Sequence, residues 1–279
     1  MAIKAEMAKT AKVRAVAIIT KRKNAEAKAA AEKIAAMLDS KGVAAYAISP
    51  LRISGIDTIE PADVKGRADL VFAIGGDGTT LKAFRTIPGD VPLLSINVGG
   101  HRGILSEVDT DNMQSAISGI LDGRGFYDSR IRIQAFSGKT AFPPALNEIL
   151  ITRADLSRTP TISIKLMGDE KSHRMDGIVI STPTGSTGHN LSIGGPVLHE
   201  GMSCLILSPI APVNKMPQLV IPVEEIVVKC SLKSHLVIDG QENYIIKAGQ
   251  EVRIARYPHD VRFLRLNKKG MRQLAKLGF

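Results

Sequence analysis

The chain has no tryptophan, only 4% aromatic residues and just two cysteines, Cys204 and Cys230. So few aromatics leave little for the base-stacking platforms of single-strand nucleic-acid binders. Two cysteines without metal-ligand spacing offer neither a disulfide framework nor a zinc site, and they suit a reducing, cytoplasmic setting. The six histidines are scattered, and none pairs with another at the helical spacing a metal site needs. No run of about 18 apolar residues occurs, so a membrane-spanning helix is not expected. The first ten residues have no apolar core of signal-peptide length.

What is present supports a packed globular protein: 44% hydrophobic and 23% charged residues in a chain of 279. That length suits one large or two ordinary domains. A formal net charge of +10 favours anionic partners, phosphorylated metabolites among them. The cations are dispersed apart from Lys21-Arg22-Lys23 and Lys268-Lys269, so charge alone identifies no partner.

Strand-like and helix-like segments alternate through the first half. Val13 to Thr20 reads as a buried strand on the apolar run Val16 to Ile19. Asn24 is placed to cap an alanine-rich helix whose apolar side carries Ile34, Met37 and Leu38. Gly42 stops that helix. Val43 to Ile48, Ala68 to Ile74 and Val91 to Ile96 read as further strands, with a helix predicted from Asp109 to Leu121. The alternation predicts a parallel, doubly wound sheet over residues 1–125. Beyond Gly123-Arg-Gly125 the periodicity becomes two. Arg130-Ile-Arg-Ile-Gln-Ala-Phe and Thr161-Ile-Ser-Ile-Lys-Leu alternate, and β-rich runs start at Ile226, Leu236 and Glu251. A second, mostly β domain is therefore expected over 126–256. Residues 257–279 read as a strand and a helix returning to the first domain.

The stretch around which the chain is organised is Leu70-Val-Phe-Ala-Ile-Gly-Gly-Asp-Gly-Thr79. An apolar strand runs into glycines that let the backbone turn sharply and let a ligand approach the main chain. Asp77 is thereby placed on a tight loop at the carboxyl end of a central strand, where open α/β sheets bind ligands. A helix is predicted from Thr79 through Arg85, so its first amides can face an anion. Taken alone, the same residues also read as a plain βα turn in which Asp77 caps the helix. Asn97-Val-Gly-Gly100 supplies a second glycine-rich exit at the same sheet edge. Four motifs mark turns in the second half: Leu146-Asn-Glu148, Arg174-Met-Asp-Gly177, Ser181-Thr-Pro-Thr-Gly-Ser-Thr187 and Gly194-Gly-Pro196. Asp239-Gly-Gln241 ends a β run.

In order and spacing these motifs closely resemble the NAD kinases, which phosphorylate the adenosine ribose of NAD, and the resemblance extends over nearly the whole chain. The glycine loop alone is shared with lipid kinases and phosphofructokinases; Asn-Glu followed by Asp-Gly and the Ser-Thr-Pro-Thr-Gly-Ser-Thr run is far more specific. The resemblance implies transfer of a γ-phosphoryl group from ATP or inorganic polyphosphate, with Mg²⁺, to the 2′-hydroxyl of NAD. It casts Asp77 as general base, flanked by Gly76, Gly78 and Thr79. Lys82, one helical turn on, is placed for a phosphate, although an exposed helix lysine reads equally well.

The resemblance gives Asn147 and Glu148 to the adenosine portion of NAD and Asp176 to its nicotinamide end. Arg158 and Arg174 fall at basic or polar contact positions, with Arg158 equally readable as a surface residue. Thr184, Thr187, Gly188, His189, Asn190, Leu191 and Ser192 belong to the hydroxyl- and glycine-rich loop. Ala211 matches a backbone contact and Gln241 a polar one. Two departures stand out. His189 replaces the usual tyrosine of this loop, which bears on ligand affinity and on the choice between NAD and NADH; a core-facing histidine is the other reading. The loop from Asn97 to Leu105 is one residue longer than usual and has Ile104 where phenylalanine is common. The family also forms homodimers or homotetramers through its β domain. No nucleic-acid or membrane partner is expected. A lipid or sugar kinase sharing the loop and a non-catalytic dinucleotide sensor are the competing readings.

Overall fold

The computed structural model describes residues 12–88, 90–99, 103–267 and 272–278. The expectations for the first ten residues, for Gly100, His101 and Arg102, and for Lys268-Lys269 lie outside the described residues. The chain forms two compact units, one of residues 1–130 with 260–279 and one of residues 131–259.

The first unit is built on one largely parallel sheet. Its strands are β1 (Ala15–Thr20), β2 (Ala44–Ile48), β3 (Asp57–Ile59), β4 (Leu70–Ile74), β5 (Leu93–Asn97), β6 (Val108–Asp109) and β7 (Phe126–Arg130), joined by the returning strand Val261–Arg265. Their order is β3-β2-β1-β4-β5, then Val261–Arg265, then β7, with β6 beside β5. All five residues of β4 are buried, as a strand covered on both faces requires. Helices α1 (Ala25–Ser40) and α3 (Met113–Leu121) cover one face, packing Ile34, Leu38, Ile117 and Ile120 into a cluster with Ile18, Phe72 and Leu94. Helix α2 (Asp77–Thr86) covers the other, where Phe84 meets Phe263 edge-on at 4.7 Å. Helices on both faces make the sheet doubly wound.

The second unit is a sandwich of two antiparallel sheets of six strands each. In one, Glu148–Arg153, Gly177–Ser181, Leu205–Ile210 and Ser234–Ile238 lie side by side; in the other, Ile133–Ser137, Thr161–Leu166, Ile226–Cys230 and Glu251–Arg256 do. Alternate residues of both, such as Ile149, Ile151, Ile162, Ile178, Val228 and Ile254, form one shared core.

Several sequence expectations shift. Phe126–Arg130 pairs antiparallel with Val261–Arg265 and so belongs to the first unit, and the alternation expected from Arg130 onward begins as a strand only at Ile133. The helix predicted from Asp109 begins at Met113, because the Asp109 carboxylate accepts the amides of Asp111 and Asn112 at 3.2 Å and closes a local turn instead. The helix predicted from Thr79 starts two residues earlier, with Asp77 inside its first turn and Gly76 as the N-cap residue. Asn24 caps α1 as read, its side chain accepting from the Ala27 amide at 2.7 Å.

Candidate active site

In the first unit, β4 delivers the chain to the glycine turn at the carboxyl end of the sheet. Gly75 has φ of +153°, and a Cβ there would lie 2.5 Å from the Thr79 hydroxyl, so glycine is needed for conformation and space together. A Cβ on Gly76 would meet open space. Asp77 is half-buried and does not bond back to its own helix. Its Oδ2 accepts the Ile104 amide and its Oδ1 the Leu105 amide, each at 2.9 Å. Two amides from a separate loop therefore set the direction of the carboxylate. Thr79 is buried and Lys82 half-buried, while Gly78 is exposed.

The loop that supplies those amides is itself anchored. The Lys276 ammonium donates to the carbonyls of Gly103 at 2.6 Å and Ser106 at 2.5 Å, and Arg265 donates to the Leu105 carbonyl at 2.9 Å. Ser106 extends a hydroxyl chain through Ser95 to Thr80 on α2. Buried Glu107 pairs with Arg272 and, at 3.6 Å, with Arg265, and one of its oxygens accepts the Leu266 amide. Burial, then the neighbouring Arg130, pull Arg265 down to about 10, so it remains a cation at neutral pH. Arg265, Lys276 and Glu107 were not read as site residues. The one sequence signal is Arg265 itself, an arginine inside the apolar strand Val261-Arg-Phe-Leu-Arg-Leu266.

In the second unit, three turns converge on residues 146–148. The Asp239 carboxylate accepts the amides of Leu146, Asn147 and Glu148 at 3.2, 2.8 and 3.3 Å. The Asn147 carbonyl accepts the Thr182 amide at 2.9 Å, and the Leu146 carbonyl accepts the Thr182 hydroxyl at 2.5 Å. A Cβ at Gly185 would lie 2.2 Å from the Asn147 carbonyl oxygen, so only glycine lets the loop settle there. Asp239 was read as part of a turn while Gln241 was given the contact. The structure makes Asp239 the anchor of the Asn-Glu pair and leaves Gln241 exposed.

This packing leaves two buried atoms without a hydrogen-bond partner: Asn147 Oδ1 and Glu148 Oε2. Buried polar groups are almost always paired, so each marks a place where a ligand completes the site. Burial, and secondarily the charge of Asp239, push the Glu148 carboxyl up to about 8. Glu148 is thus mostly protonated at neutral pH and can donate as well as accept a hydrogen bond.

Other candidate residues divide clearly. Asn190, expected among the ligand contacts, is fully buried. Its amide donates to the carbonyls of Ser186 and Pro196 and its oxygen accepts the Ser208 hydroxyl at 2.7 Å, so it shapes the loop from beneath. Thr184 is buried, Thr187 and Gly188 are half-buried, and Leu191 and Ser192 are exposed on the same short helix. His189 is half-buried with no hydrogen-bonding partner among the described residues, which removes the core-facing reading. Asp176 is paired with Arg153 at 2.8 Å, a partner the sequence did not flag. Arg174 and Arg158 are exposed, Arg158 beside Asp155 on a projecting turn. Ala211 follows its strand with φ of 44°, an unusual conformation for a residue with a Cβ, and one that turns its backbone polar groups away from the ladder. Among the described residues no three His, Cys, Asp or Glu side chains gather as a metal cage.

Comparison with known proteins places this arrangement. Residues 5–125 match the family model of the ATP-NAD kinase N-terminal domain, and residues 146–266 that of the C-terminal domain. The chain is 30% identical to the NAD kinase of Nitratidesulfovibrio vulgaris over 96% of its own length and 97% of that protein. It is 35% identical to the NAD kinase of Chloroflexus aurantiacus over 71% of this chain and 75% of the relative. In fold it is similar to yeast NADH kinase complexed with NADH, with a TM-score of 0.87 at 20% identity, covering 96% of this chain and 87% of that one. It is also similar to an NAD kinase from Archaeoglobus fulgidus in complex with ATP, with a TM-score of 0.79 at 22% identity, covering 95% of this chain and 98% of that one. The chain belongs to the NAD kinase family. It is a kinase, with an α/β domain followed by a β domain.

Proposed function

We propose that this enzyme transfers the γ-phosphoryl group of ATP, or a terminal phosphoryl of inorganic polyphosphate, to the 2′-hydroxyl of the adenosine ribose of NAD, with Asp77 as general base. The observation that carries the reading is the Asp77 carboxylate, aimed by two loop amides at the mouth of a glycine turn. The bond between the γ-phosphorus and its bridging oxygen breaks, a bond from the ribose oxygen to that phosphorus forms, the hydroxyl proton passes to Asp77, and ADP leaves. The helix start and the glycine turn leave room for phosphate against the main chain. Mg²⁺ neutralises charge on the phosphates, and in the absence of a side-chain cage it arrives with them.

Asn147 and Glu148 hold the adenosine end of NAD, which satisfies the two unpartnered atoms. The 184–192 loop closes over the ligand, with His189 in the tyrosine position. Asp176, Arg174, Arg158, the backbone of Ala211 and Gln241 line the remainder. Work in the cytoplasm is supported by two free, buried cysteines. No helix among the described residues is long and apolar enough to cross a membrane. Assembly as a homo-oligomer through the β unit is supported by its edge strand Leu219–Ile221, which leaves Leu219 and Val220 exposed.

The test is NADP formation from NAD, ATP and Mg²⁺, run beside Asp77→Asn. The expected result is loss of about 10²- to 10⁴-fold in turnover with NAD binding and the melting transition retained. Wild-type protein that binds NAD yet forms no NADP from ATP or polyphosphate would leave the sensor reading in place of the kinase.

A further inference from the structure

Beside the Asp77 turn, the first unit carries a second concavity that none of the roles above uses. It lies where β1 and β2 end, lined by Thr20 through Ala25 on one side and Ile48 through Arg52 on the other, and its volume is about 670 Å³. Six cationic side chains face it, Lys21, Arg22, Lys23, Lys28, Arg52 and Lys82, and no carboxylate does. Lys28 pairs with Glu32 at 3.8 Å along α1; the other five have no ion pair among the described residues. Like charges gathered on one concave surface, with no acid to balance them, repel one another until an anion is present. The cleft also receives the start of α1, a helix of 16 residues whose Ala25 lines it. The free amides of a first turn add to the positive field.

The cleft is continuous with the Asp77 turn. The Lys21 amide donates to the Ile74 carbonyl at 3.0 Å, and a Cβ on Gly75 would lie 3.1 Å from Lys21 Cβ. Lys82 stands on α2, between the cleft and Asp77 in the first turn of that helix. A chain of phosphates lying in the cleft therefore has its end directed at the glycine turn. The volume falls within the range of small-molecule sites. No aromatic side chain lines it, so nothing there stacks on a base.

Resting on the kinase reading, we infer that this basic cleft is the subsite for the phosphoryl donor, that it binds the donor's polyphosphate chain, and that it is indifferent to the base. Lys21-Arg22-Lys23 and Arg52 grip the chain, and Lys82 holds the phosphate nearest the glycine turn. Nucleoside triphosphates and inorganic polyphosphate share the chemistry it recognises.

The experiment is a set of donor saturation curves for NADP formation by the full chain, with ATP, GTP and inorganic tripolyphosphate in turn, each with excess Mg²⁺. Wild type is compared with the Arg22→Gln/Arg52→Gln double variant, and with Lys33→Gln as a change of equal charge on an exposed part of α1 outside the cleft. The double variant is expected to raise the KM for every donor that wild type uses by about tenfold or more, because charge-assisted hydrogen bonds to phosphate are lost. The KM for NAD and the melting temperature stay unchanged, and Lys33→Gln behaves as wild type. An unchanged donor KM in a folded, active double variant overturns the inference. So does a rise confined to the nucleotides where tripolyphosphate is also a substrate, since that places the base in the cleft. If wild type forms no NADP with any donor, the kinase reading fails and the cleft is judged by calorimetric titration with tripolyphosphate alone. Binding that the double variant loses supports the cleft as a polyphosphate site; binding that is absent, or equal in both proteins, overturns it.

Discussion

Asp77 and Glu148 are both carboxylates at the end of a central strand, one in each unit, and their surroundings are opposite. Asp77 follows a parallel strand, is half-exposed, and has an amide on each oxygen. Glu148 opens an antiparallel strand, is 5% exposed, and has one oxygen with no partner. The first is aimed but left wet, which keeps a carboxylate ionised and ready to accept a proton. The second is dry and incomplete, which leaves it protonated and in need of a ligand group. Each unit also anchors its carboxylate through another acid: Glu107 gathers Arg265 and Arg272 beneath the Asp77 loop, and Asp239 gathers three amides beneath Glu148. The same residue chemistry thus does different work according to burial and to what has already been satisfied.

The sharpest way to break this contrast is at Glu107. Glu107→Gln leaves two buried arginines without their counter-charge, and removing one partner of a buried ion pair typically costs about 3–5 kcal/mol. Urea unfolding is expected to show that loss, with turnover falling as the loop carrying the Ile104 and Leu105 amides loosens. Unchanged stability would show that the cluster does not support the loop.

Asp239→Asn comes next. Three amide-to-carboxylate bonds become bonds to a neutral oxygen, and each such charged bond is worth about 1.5–3 kcal/mol against about 1 for a neutral one. A loss of a few kcal/mol is expected, again by urea unfolding. The same change removes the negative charge that helps hold the Glu148 proton, so the Glu148 titration should move to lower pH. Stability loss without movement of that titration would mean that burial alone raises Glu148.

The smallest effect near neutrality belongs to Glu148→Gln, and its signature is in the pH dependence. Glu148 titrates near 4.5 when unfolded and at about 8 when folded, so the folded state holds the proton more tightly. Its contribution is therefore fully present below 4.5 and is lost as pH rises toward 8. Between those values wild type is expected to lose stability relative to Glu148→Gln by at most about 1.4 kcal/mol per pH unit. Parallel stability profiles for the two proteins would show that Glu148 does not titrate in this window.

Much of the molecule was legible before any coordinates. Buried runs such as Val16–Ile19 and Leu70–Ile74 announced parallel strands, period-two alternation announced the sandwich, and Asn24 announced the start of α1. These signals are local, because a strand's burial pattern or a cap is written in neighbouring residues. The glycine turn and the Asn-Glu pair were legible for the same reason, since each is contiguous. The onset of α3 was misplaced because Asp109 closes a turn that competes with the helix. Asn190 was taken for a ligand contact because nothing local says that Ser208 lies beneath it.

The sequence by itself determined the two architectures, the family and the contiguous motifs. Only the tertiary structure decided which groups complete each motif. Asp77 depends on a loop 27 residues away in sequence, which in turn depends on Lys276, 173 residues beyond Gly103. Asn147 depends on Asp239, 92 residues on. Burial and hydrogen bonding are properties of such distant pairs, and no window of sequence contains both members.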